Sequence, residues 1–310
     1  MSARALDAAG IADPALRAAY EECRTLHAGH GKTYYLATAL LPPAKRPYVW
    51  ALYGFARHAD EFVDSLESPD PQALIAWGAA FLDGLAAEPS SATLTHPVSL
   101  AMTHTMRRWH IPRAHVEAFL ESMRMDITIT GYPTYADLER YMYGSASVIG
   151  LQMLPILEPV TPEAVPRARA LGEAFQMSNF IRDVGEDLRR GRVYLPQEDL
   201  DLFGVTREIL ARSVVTPSVR ELLRFEIERT RKLYAFAEPG IDMLHPTSRD
   251  CVRTAFTLYR GILDVVESAG YQVLTQRVSV PLIRRLAVAL PAARHARVVR
   301  REEERWVPVA

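Results

Sequence analysis

Two pairs of aspartates at helical spacing are the residues in this sequence best suited to chemistry. Asp60 and Asp64 are four residues apart, and so are Asp183 and Asp187. One helical turn places such carboxylates about 6 Å apart on one face of a helix. At an effective dielectric constant near 20, two charges at this distance repel each other by roughly 3 kcal/mol. A bound divalent cation would offset this repulsion, because hard cations prefer carboxylate oxygens.

Each pair belongs to a polar stripe that runs beside an apolar stripe on the same predicted helix. The first polar stripe consists of Tyr53, Arg57, Asp60 and Asp64. The second consists of Gln176, Asn179, Asp183 and Asp187. A single pair of aspartates is more typical of a solvated helix face on which a neighbouring arginine balances the charge. Two such stripes are far less expected by chance than one.

Across a helical bundle, two facing stripes of this kind would form a cage of carboxylates. Helical bundles build metal sites from side chains on facing helices, and magnesium favours a few carboxylates together with phosphate oxygens. Arg57 and Arg182 add cations that can neutralise a leaving diphosphate. The stripes therefore predict ionisation of an allylic diphosphate with the help of Mg²⁺ or Mn²⁺. The predicted metal ligands are Asp60, Asp64, Asn179, Asp183 and Asp187.

The composition is that of an ordinary globular protein, with 49% apolar and 24% charged residues in a chain of 310. A formal net charge of −1 gives no reason to expect nucleic acid as a partner. The only cysteines, Cys23 and Cys251, are too far apart in sequence to suggest a disulfide framework or a zinc site. The first ten residues lack the pattern of a signal peptide, so a cytoplasmic protein is expected.

The elements that must position these residues are helices, because apolar residues recur mostly at steps of three and four. The predicted helices are 14–28, 44–67, 71–87, 97–109, 113–126, 135–154, 162–189, 207–212, 217–238, 247–270 and 280–301. No internal repeat or low-complexity linker divides them. The prediction is one all-α domain over residues 1–310, with a core at about 14–278 and a basic C-terminal helix at about 280–301.

The aspartate motifs resemble the two signatures of the squalene and phytoene synthases. Asp60-Glu-Phe-Val-Asp64, preceded by the segment from Trp50 to Arg57, is similar to the first signature. The segment from Asn179 to Asp187, followed by Arg-Arg-Gly-Arg-Val-Tyr-Leu-Pro at 189–196, is similar to the second. The resemblance extends from about residue 30 to about residue 277. It implies an isoprenoid synthase-type helical bundle with a central cavity between the aspartate motifs.

The same resemblance implies roles for individual residues. Those expected to bind a substrate diphosphate are His30, Lys32, Thr33, Tyr53, Arg57, Gln176, Asn179, Arg182, Tyr259 and Arg277. Tyr141 resembles the tyrosine that steers or deprotonates the carbocation, and with the four aspartates it makes up the expected catalytic set. Without the resemblance, Tyr141 is more typical of a half-buried core tyrosine.

The implied reaction is a head-to-head condensation of two geranylgeranyl diphosphates to phytoene through a cyclopropyl diphosphate, as in carotenoid biosynthesis. Proton loss would quench the final cation, so no NADPH is expected. Within the family, squalene, dehydrosqualene and presqualene diphosphate synthases remain alternatives, and these use the shorter farnesyl diphosphate. A terpene cyclase or a non-catalytic scaffold of the same fold fits less well. A scaffold has no reason to keep four facing carboxylates.

The C-terminal region has a distinctive charge pattern. From Arg277 to Arg301 the sequence contains seven arginines and no acidic residue. Such a run usually forms a solvated helix face. Interleaved apolar residues leave peripheral membrane contact as the alternative interpretation, and a C40 hydrocarbon product would need lipid. These apolar residues are Leu282, Ile283, Leu286, Val288 and Leu290.

Overall fold

The structure of this chain, a computed structural model, describes residues 2–64, 70–86 and 96–305, without the side chains of residues 64, 304 and 305. Within these ranges the chain forms fifteen α-helices and no β-strand. The helices are α1 (Ser2–Ala8), α2 (Pro14–His30), α3 (Lys32–Thr38), α4 (Arg46–Asp64), α5 (Pro71–Ala86), α6 (Pro97–Trp109), α7 (Arg113–Thr128), α8 (Tyr135–Met142), α9 (Val148–Leu157), α10 (Ala164–Arg189), α11 (Gln197–Leu202), α12 (Arg207–Ala211), α13 (Pro217–Ala237), α14 (Pro246–Ser268) and α15 (Leu282–Arg305).

The eleven predicted helices are all present, and the all-α fold class is confirmed. The predicted helix 44–67 begins with a 3₁₀ turn at Pro43–Lys45 and continues as α4, while residues 65–67 lie outside the described ranges. The predicted helix 135–154 consists of α8, a π-helical turn at Tyr143–Ser147 and α9. Sequence periodicity missed α1, α3 and α11, which have only six or seven residues each and are too short to show a repeating apolar face.

Helix starts follow local chemistry. Prolines occupy the first position of α2, α5, α6, α13 and α14, where a missing N–H group leaves no hydrogen bond unmade. At the start of α8, Thr134 and Asp137 form a capping box in which each side chain accepts from the other residue's backbone N–H group. These caps fix where α8 begins and therefore which of its residues face inward.

The two helices with the aspartate stripes, α4 and α10, both line one large cavity. One connected cluster of buried apolar side chains runs from Ala5 to Ala296. In it, α4 packs on α2 and α6, whereas α10 packs on α9, α13 and α14. The π-helical turn lies between α7 and α10, and α15 packs along α14. In the described part of the chain, no helix has the length and hydropathy needed to cross a bilayer.

Candidate active site

The cavity has a volume of about 990 Å³ and contains the residues that the sequence motifs predict. Every predicted site residue whose side chain is described lines it. These residues are His30, Lys32, Thr33, Tyr53, Arg57, Asp60, Tyr141, Gln176, Asn179, Arg182, Asp183, Asp187, Tyr259 and Arg277. The side chain of Asp64, the remaining predicted residue, lies outside the described part of the structure. Residues from α3, α4, α10, α14 and the segment after α14 thus meet at one site.

Helix α10 runs along the cavity wall, and the cavity is chemically different beside the two halves of this helix. Its N-terminal half contributes Ala164, Ala168 and Leu171 to the wall, whereas its C-terminal half contributes Asp183 and Asp187. We call the two parts the apolar end and the charged end. Residues 157, 241 and 244, all aliphatic, also line the apolar end. The cavity can therefore hold a molecule with an ionic head and a long hydrocarbon tail.

Asp183 is held by two arginines at the charged end. Its Oδ1 accepts a hydrogen bond from Arg182 Nε at 2.8 Å and lies 2.9 Å from Arg277 Nε. Its Oδ2 accepts from Arg277 Nη2 at 3.2 Å. Burial opposes the charge on Arg182, but the hydrogen bond and ion pair with Asp183 outweigh burial and raise the pKa of Arg182. Arg182 and Arg277, both predicted to bind a diphosphate, thus bind the carboxylate of Asp183 in this structure. Both arginines also line the cavity.

Asn179 carries a polar atom that lacks a partner. Its Oδ1 is buried and accepts no hydrogen bond within the described structure, while its Nδ2 reaches Gln176 Oε1 only at 3.5 Å. An amide oxygen is a hard donor of the kind that magnesium takes. Oxygen ligands from Asp60, Asp183 and Asp187 line the same space. The donor set therefore fits a magnesium or manganese ion that is completed by phosphate oxygens.

A complete protein cage for the metal is absent from the described ranges. Among these residues, no three side chains of histidine, cysteine, aspartate or glutamate come close enough together to hold an ion. The predicted four-carboxylate cage includes Asp64, whose side chain is not described, so the cage stays a prediction.

The first stripe meets the loop between α2 and α3. Tyr53 on α4 stacks on His27, with ring centroids 4.2 Å apart. This arrangement requires glycine at position 31, since a Cβ atom there would lie 2.5 Å from Tyr53 Cε2 and 2.9 Å from His27 Cδ2. The close approach brings Lys32 and Thr33, the first residues of α3, to the cavity wall. Burial lowers the pKa of His27 to about 3, so this ring is neutral near pH 7 and adds no positive charge to the site.

Arg57 is held in place by a glutamate on its own helix. Its Nε lies 3.4 Å from Glu61 Oε1, one turn further along α4. The Nε is buried and makes no hydrogen bond at this distance. A partly desolvated guanidinium with an unused donor is suited to binding an anion in the cavity.

Tyr141 belongs to a buried hydrogen-bond network that the sequence analysis did not identify. Its hydroxyl donates to Asp126 Oδ2 at 2.7 Å, and the hydroxyl of Tyr194 donates to Asp126 Oδ1 at 3.0 Å. Burial and the nearby Asp126 charge hold the pKa of Tyr141 well above its usual value. The same two causes raise the pKa of Tyr194, to which Asp187 also contributes. The network therefore connects Tyr141 to the second aspartate motif.

A sequence signal for Asp126 was available. Phe119, Met123 and Asp126 follow one another at steps of four and three along α7, and the first two are buried. An acidic residue that continues an apolar stripe is expected to be buried with partners. Tyr194 lies in the tail of the second motif, but its spacing gave no indication of this contact.

Aromatic rings form another part of the wall. Tyr259, a predicted diphosphate-binding residue, stacks on Tyr34 with centroids 4.5 Å apart and contacts Phe175 at 4.6 Å. All three rings line the cavity. The faces of aromatic rings carry negative partial charge and attract cations. A carbocation formed in this cavity would therefore be stabilised without a nucleophile that could trap it.

Comparisons with known proteins show the family to which the chain belongs. The sequence model of the squalene/phytoene synthase family matches residues 27–284. A phytoene synthase from Arthrospira platensis is 39% identical over 303 residues, which cover 92% of this chain and 96% of the relative. A 15-cis-phytoene synthase from Synechococcus elongatus is 37% identical over 292 residues, covering 90% and 93% of the two chains.

Solved structures show the same fold. A dehydrosqualene synthase in complex with a ligand superposes with a TM-score of 0.82 at 26% identity, covering 91% of this chain and 98% of the other. A squalene synthase from Alicyclobacillus acidocaldarius superposes with a TM-score of 0.75 at 25% identity, covering 85% and 98%.

Proposed function

The chain belongs to the squalene/phytoene synthase family of prenyltransferases, and we propose that it joins two molecules of geranylgeranyl diphosphate head to head to form phytoene. The observation that carries this proposal is a cavity in which a charged end adjoins an apolar end. Relatives that match nearly the whole chain are phytoene synthases, which supports the same reaction.

The span of α10 along the cavity is long enough for a C20 donor. Sixteen residues of α10 separate Asp183 from Arg167, which also lines the cavity, so the helix advances about 24 Å between them. A geranylgeranyl chain has sixteen carbons in its main chain and spans about 19 Å at the roughly 1.2 Å per bond of an extended backbone. A farnesyl chain spans only about 14 Å on the same basis. The shorter donor would leave the last turns of the apolar end unfilled, at a loss of about 0.8 kcal/mol per unburied carbon.

The charged end would promote the departure of the diphosphate. The C1–O bond of one donor breaks, and the electron pair leaves with the diphosphate toward Lys32, Arg57, Arg182 and Arg277. The resulting allylic cation is captured by the double bond of the second donor, and proton loss gives a cyclopropyl diphosphate. This intermediate ionises in turn, rearranges and loses a proton to give the hydrocarbon. Fixed cations beside the leaving group stabilise the charge that develops on it.

Tyr141 would steer the cation as a neutral phenol. Its raised pKa makes a phenolate unavailable near neutral pH. Since the hydroxyl proton is donated to Asp126, the oxygen lone pairs remain to face the cavity. The carbocation would be oriented by these lone pairs and by the aromatic wall of Tyr34 and Tyr259.

Mg²⁺ or Mn²⁺ is part of this proposal. The residues that would hold it are Asp60, Asp64, Asn179, Asp183 and Asp187, and when bound it would neutralise the diphosphate as a Lewis acid. The orphaned oxygen of Asn179 supports the assignment. The chain's own contribution is to place carboxylates and guanidinium groups at one end of a cavity whose other end is lined by apolar residues.

The second candidate is a C30 synthase that uses farnesyl diphosphate. The superposition on a dehydrosqualene synthase at a TM-score of 0.82 favours it, since both chains share the fold that encloses the cavity. The two candidates differ in the length of the donor. A C30 synthase that makes squalene would also need a hydride donor.

A product assay tests the proposal. The purified chain is incubated with C15 and with C20 diphosphate, with Mg²⁺ or with EDTA, and with or without NADPH, and hydrocarbons are extracted. We expect a C40 hydrocarbon from the C20 donor that requires the metal and is independent of NADPH. Squalene formed only in the presence of NADPH would contradict the C20 assignment. Failure to convert either donor would contradict the proposed function as a whole.

The proposed partners are prenyl diphosphates and a membrane surface. A C40 hydrocarbon has no polar group to keep it in water, so product release requires an apolar phase.

A further inference from the structure

Four of the twelve large apolar residues that are exposed in the described structure lie together on the first half of α15. Ile283, Leu282 and Leu290 are 83%, 67% and 56% exposed, and Leu286 is exposed as well. Single exposed apolar residues are ordinary on a protein surface, but a contiguous group marks an interaction site. These neighbouring residues on one helix therefore indicate a binding surface.

These residues share one face of the helix, and basic residues continue it. Leu282, Leu286 and Leu290 follow at steps of four with Ile283 beside them, while Ala289 and Ala296, seven residues apart, are buried on the adjoining side of the helix. One turn after Leu290, Arg294 and then Arg297 occupy the outer face. In the parts of the chain that the structure describes, neither of these arginines forms an ion pair. We call this surface, formed by Leu282, Ile283, Leu286, Leu290, Arg294 and Arg297, the α15 face.

The α15 face begins beside the cavity. Val278, Ser279 and Val280 line the cavity wall, and α15 starts two residues later. Arg285 lines the cavity too and donates from Nε to the carbonyl oxygen of Val280 at 2.8 Å, which ties the first turn of α15 to this wall. A surface on which the α15 face lies would therefore be close to the site where hydrocarbon forms.

We propose that the α15 face docks the chain on an anionic lipid bilayer, with the wall formed by Val278–Val280 turned toward the membrane. The bilayer contact rests on the proposed function, because a hydrocarbon product must pass into lipid. The α15 face is the surface that would make this contact. Apolar side chains flanked by arginines fit the boundary between acyl chains and anionic headgroups. The absence of any acidic residue from 277 to 301 suits the same negative surface.

Vesicle co-sedimentation of the full chain without substrate tests the apolar part of the face. The test variant carries Ile283→Ser and Leu290→Ser. The control variant carries Leu202→Ser and Val214→Ser, which remove apolar residues of similar exposure, 68% and 59%, on other elements. On vesicles of phosphatidylcholine and phosphatidylglycerol, we expect the test variant to bind at least tenfold more weakly than the wild type. The control variant should bind as the wild type does.

The charged part of the face has its own test. The double variant Arg294→Gln with Arg297→Gln should lose the preference of the wild type for vesicles with phosphatidylglycerol over vesicles of phosphatidylcholine alone. Added salt should weaken wild-type binding in the same way, because screening acts on exposed charges.

Three results would overturn the inference. The first is that the Ile283 and Leu290 variant binds vesicles as well as the control variant does, and the second is that the wild type does not bind them. The third is a wild-type dimer, measured by light scattering, that these two substitutions convert to a monomer, since the face would then contact a second copy of the chain. Turnover in detergent micelles is measured separately. If the wild type binds vesicles through this face but converts no prenyl diphosphate, the proposed function fails and the docking surface stands.

Discussion

Arg167 lines the wall at the apolar end of the cavity, and its replacement by alanine should lengthen the donor that the enzyme accepts. Its Nη1 donates to the carbonyl oxygen of Phe236 at 2.5 Å, and its Cζ lies 3.9 Å from the centre of the Phe236 ring. Its aliphatic stem fills the space beside Gly240, where a Cβ atom would lie 2.3 Å from Arg167 Cβ. Three contacts thus fix the position of this side chain in the cavity wall.

The size of the effect follows from the geometry of α10. An extended C20 tail reaches about 19 Å from the charged end, and a C25 tail, with four more main-chain bonds, reaches about 24 Å. The longer tail therefore meets Arg167 in the wild type, and Arg167→Ala removes the obstruction. If half of the five additional carbons become buried, the gain is about 2 kcal/mol at 0.8 kcal/mol per carbon. This corresponds to a roughly thirtyfold increase in the ratio of kcat/KM for the C25 donor over the C20 donor.

Competition between the C20 and C25 diphosphates, followed by separation of the hydrocarbons, measures this ratio directly. Arg140→Ala is the matched control, because Arg140 is an exposed arginine that does not line the cavity. The same ratio in both variants would refute the reasoning and would place the limit on donor length elsewhere. If neither variant nor the wild type used any donor, the fault would lie with the proposed function instead.

Further predictions concern the charged end and the buried network. Asp183→Asn should abolish turnover in steady-state assays and lower the free energy of unfolding by about 2 kcal/mol, because buried Arg182 loses a charged hydrogen-bond partner; near-native turnover would exclude Asp183 from the catalytic set. Asp126→Asn should lower kcat roughly tenfold and change the product mixture, while KM changes little. The reason is that the substitution weakens the hydrogen bond that orients Tyr141. An unchanged rate and an unchanged product would mean that the network is purely structural. His27 is buried with its pKa lowered from 6.5 to about 3, so below pH 6.5 the unfolded chain binds a proton that the folded chain does not. Stability should therefore fall as pH decreases, by about 1.4 kcal/mol per pH unit from this group, and His27→Phe should remove that part of the slope in denaturant unfolding curves; an unchanged slope would mean that His27 titrates normally.

The helices that position the site were predictable because their signals are local. Steps of three and four placed Asp60 beside one apolar stripe and Asp183 beside another, and the fold turned both stripes toward the same cavity. Periodicity determines which residues share a face of a helix. Burial of the apolar stripe then determines which way the neighbouring polar stripe faces. The resemblance to known signatures supplied the pairing of the two helices, which periodicity alone does not contain.

The contacts between side chains were not predictable in the same way. Arg277 reaches Asp183 across 94 residues of sequence, and Tyr194 reaches Asp126 across 68. Such pairs depend on how helices and loops cross, and no local pattern encodes a crossing. Tyr34 was missed for the same reason, because its partner Tyr259 lies on a helix near the other end of the chain.

The pairing of Asp183 with Arg182 and Arg277 has a consequence for how ligands bind. The carboxylate predicted to hold the metal and the guanidinium groups predicted to hold the diphosphate satisfy one another in this structure. Breaking a buried pair by moving only one partner leaves an uncompensated charge, which is costly. A diphosphate that takes the arginines therefore frees Asp183 for a cation, and a cation that takes Asp183 frees the arginines for a diphosphate. The two ligands should thus bind with positive coupling, and we expect the substrate to ionise only after Arg182 and Arg277 have released Asp183 and bound the diphosphate.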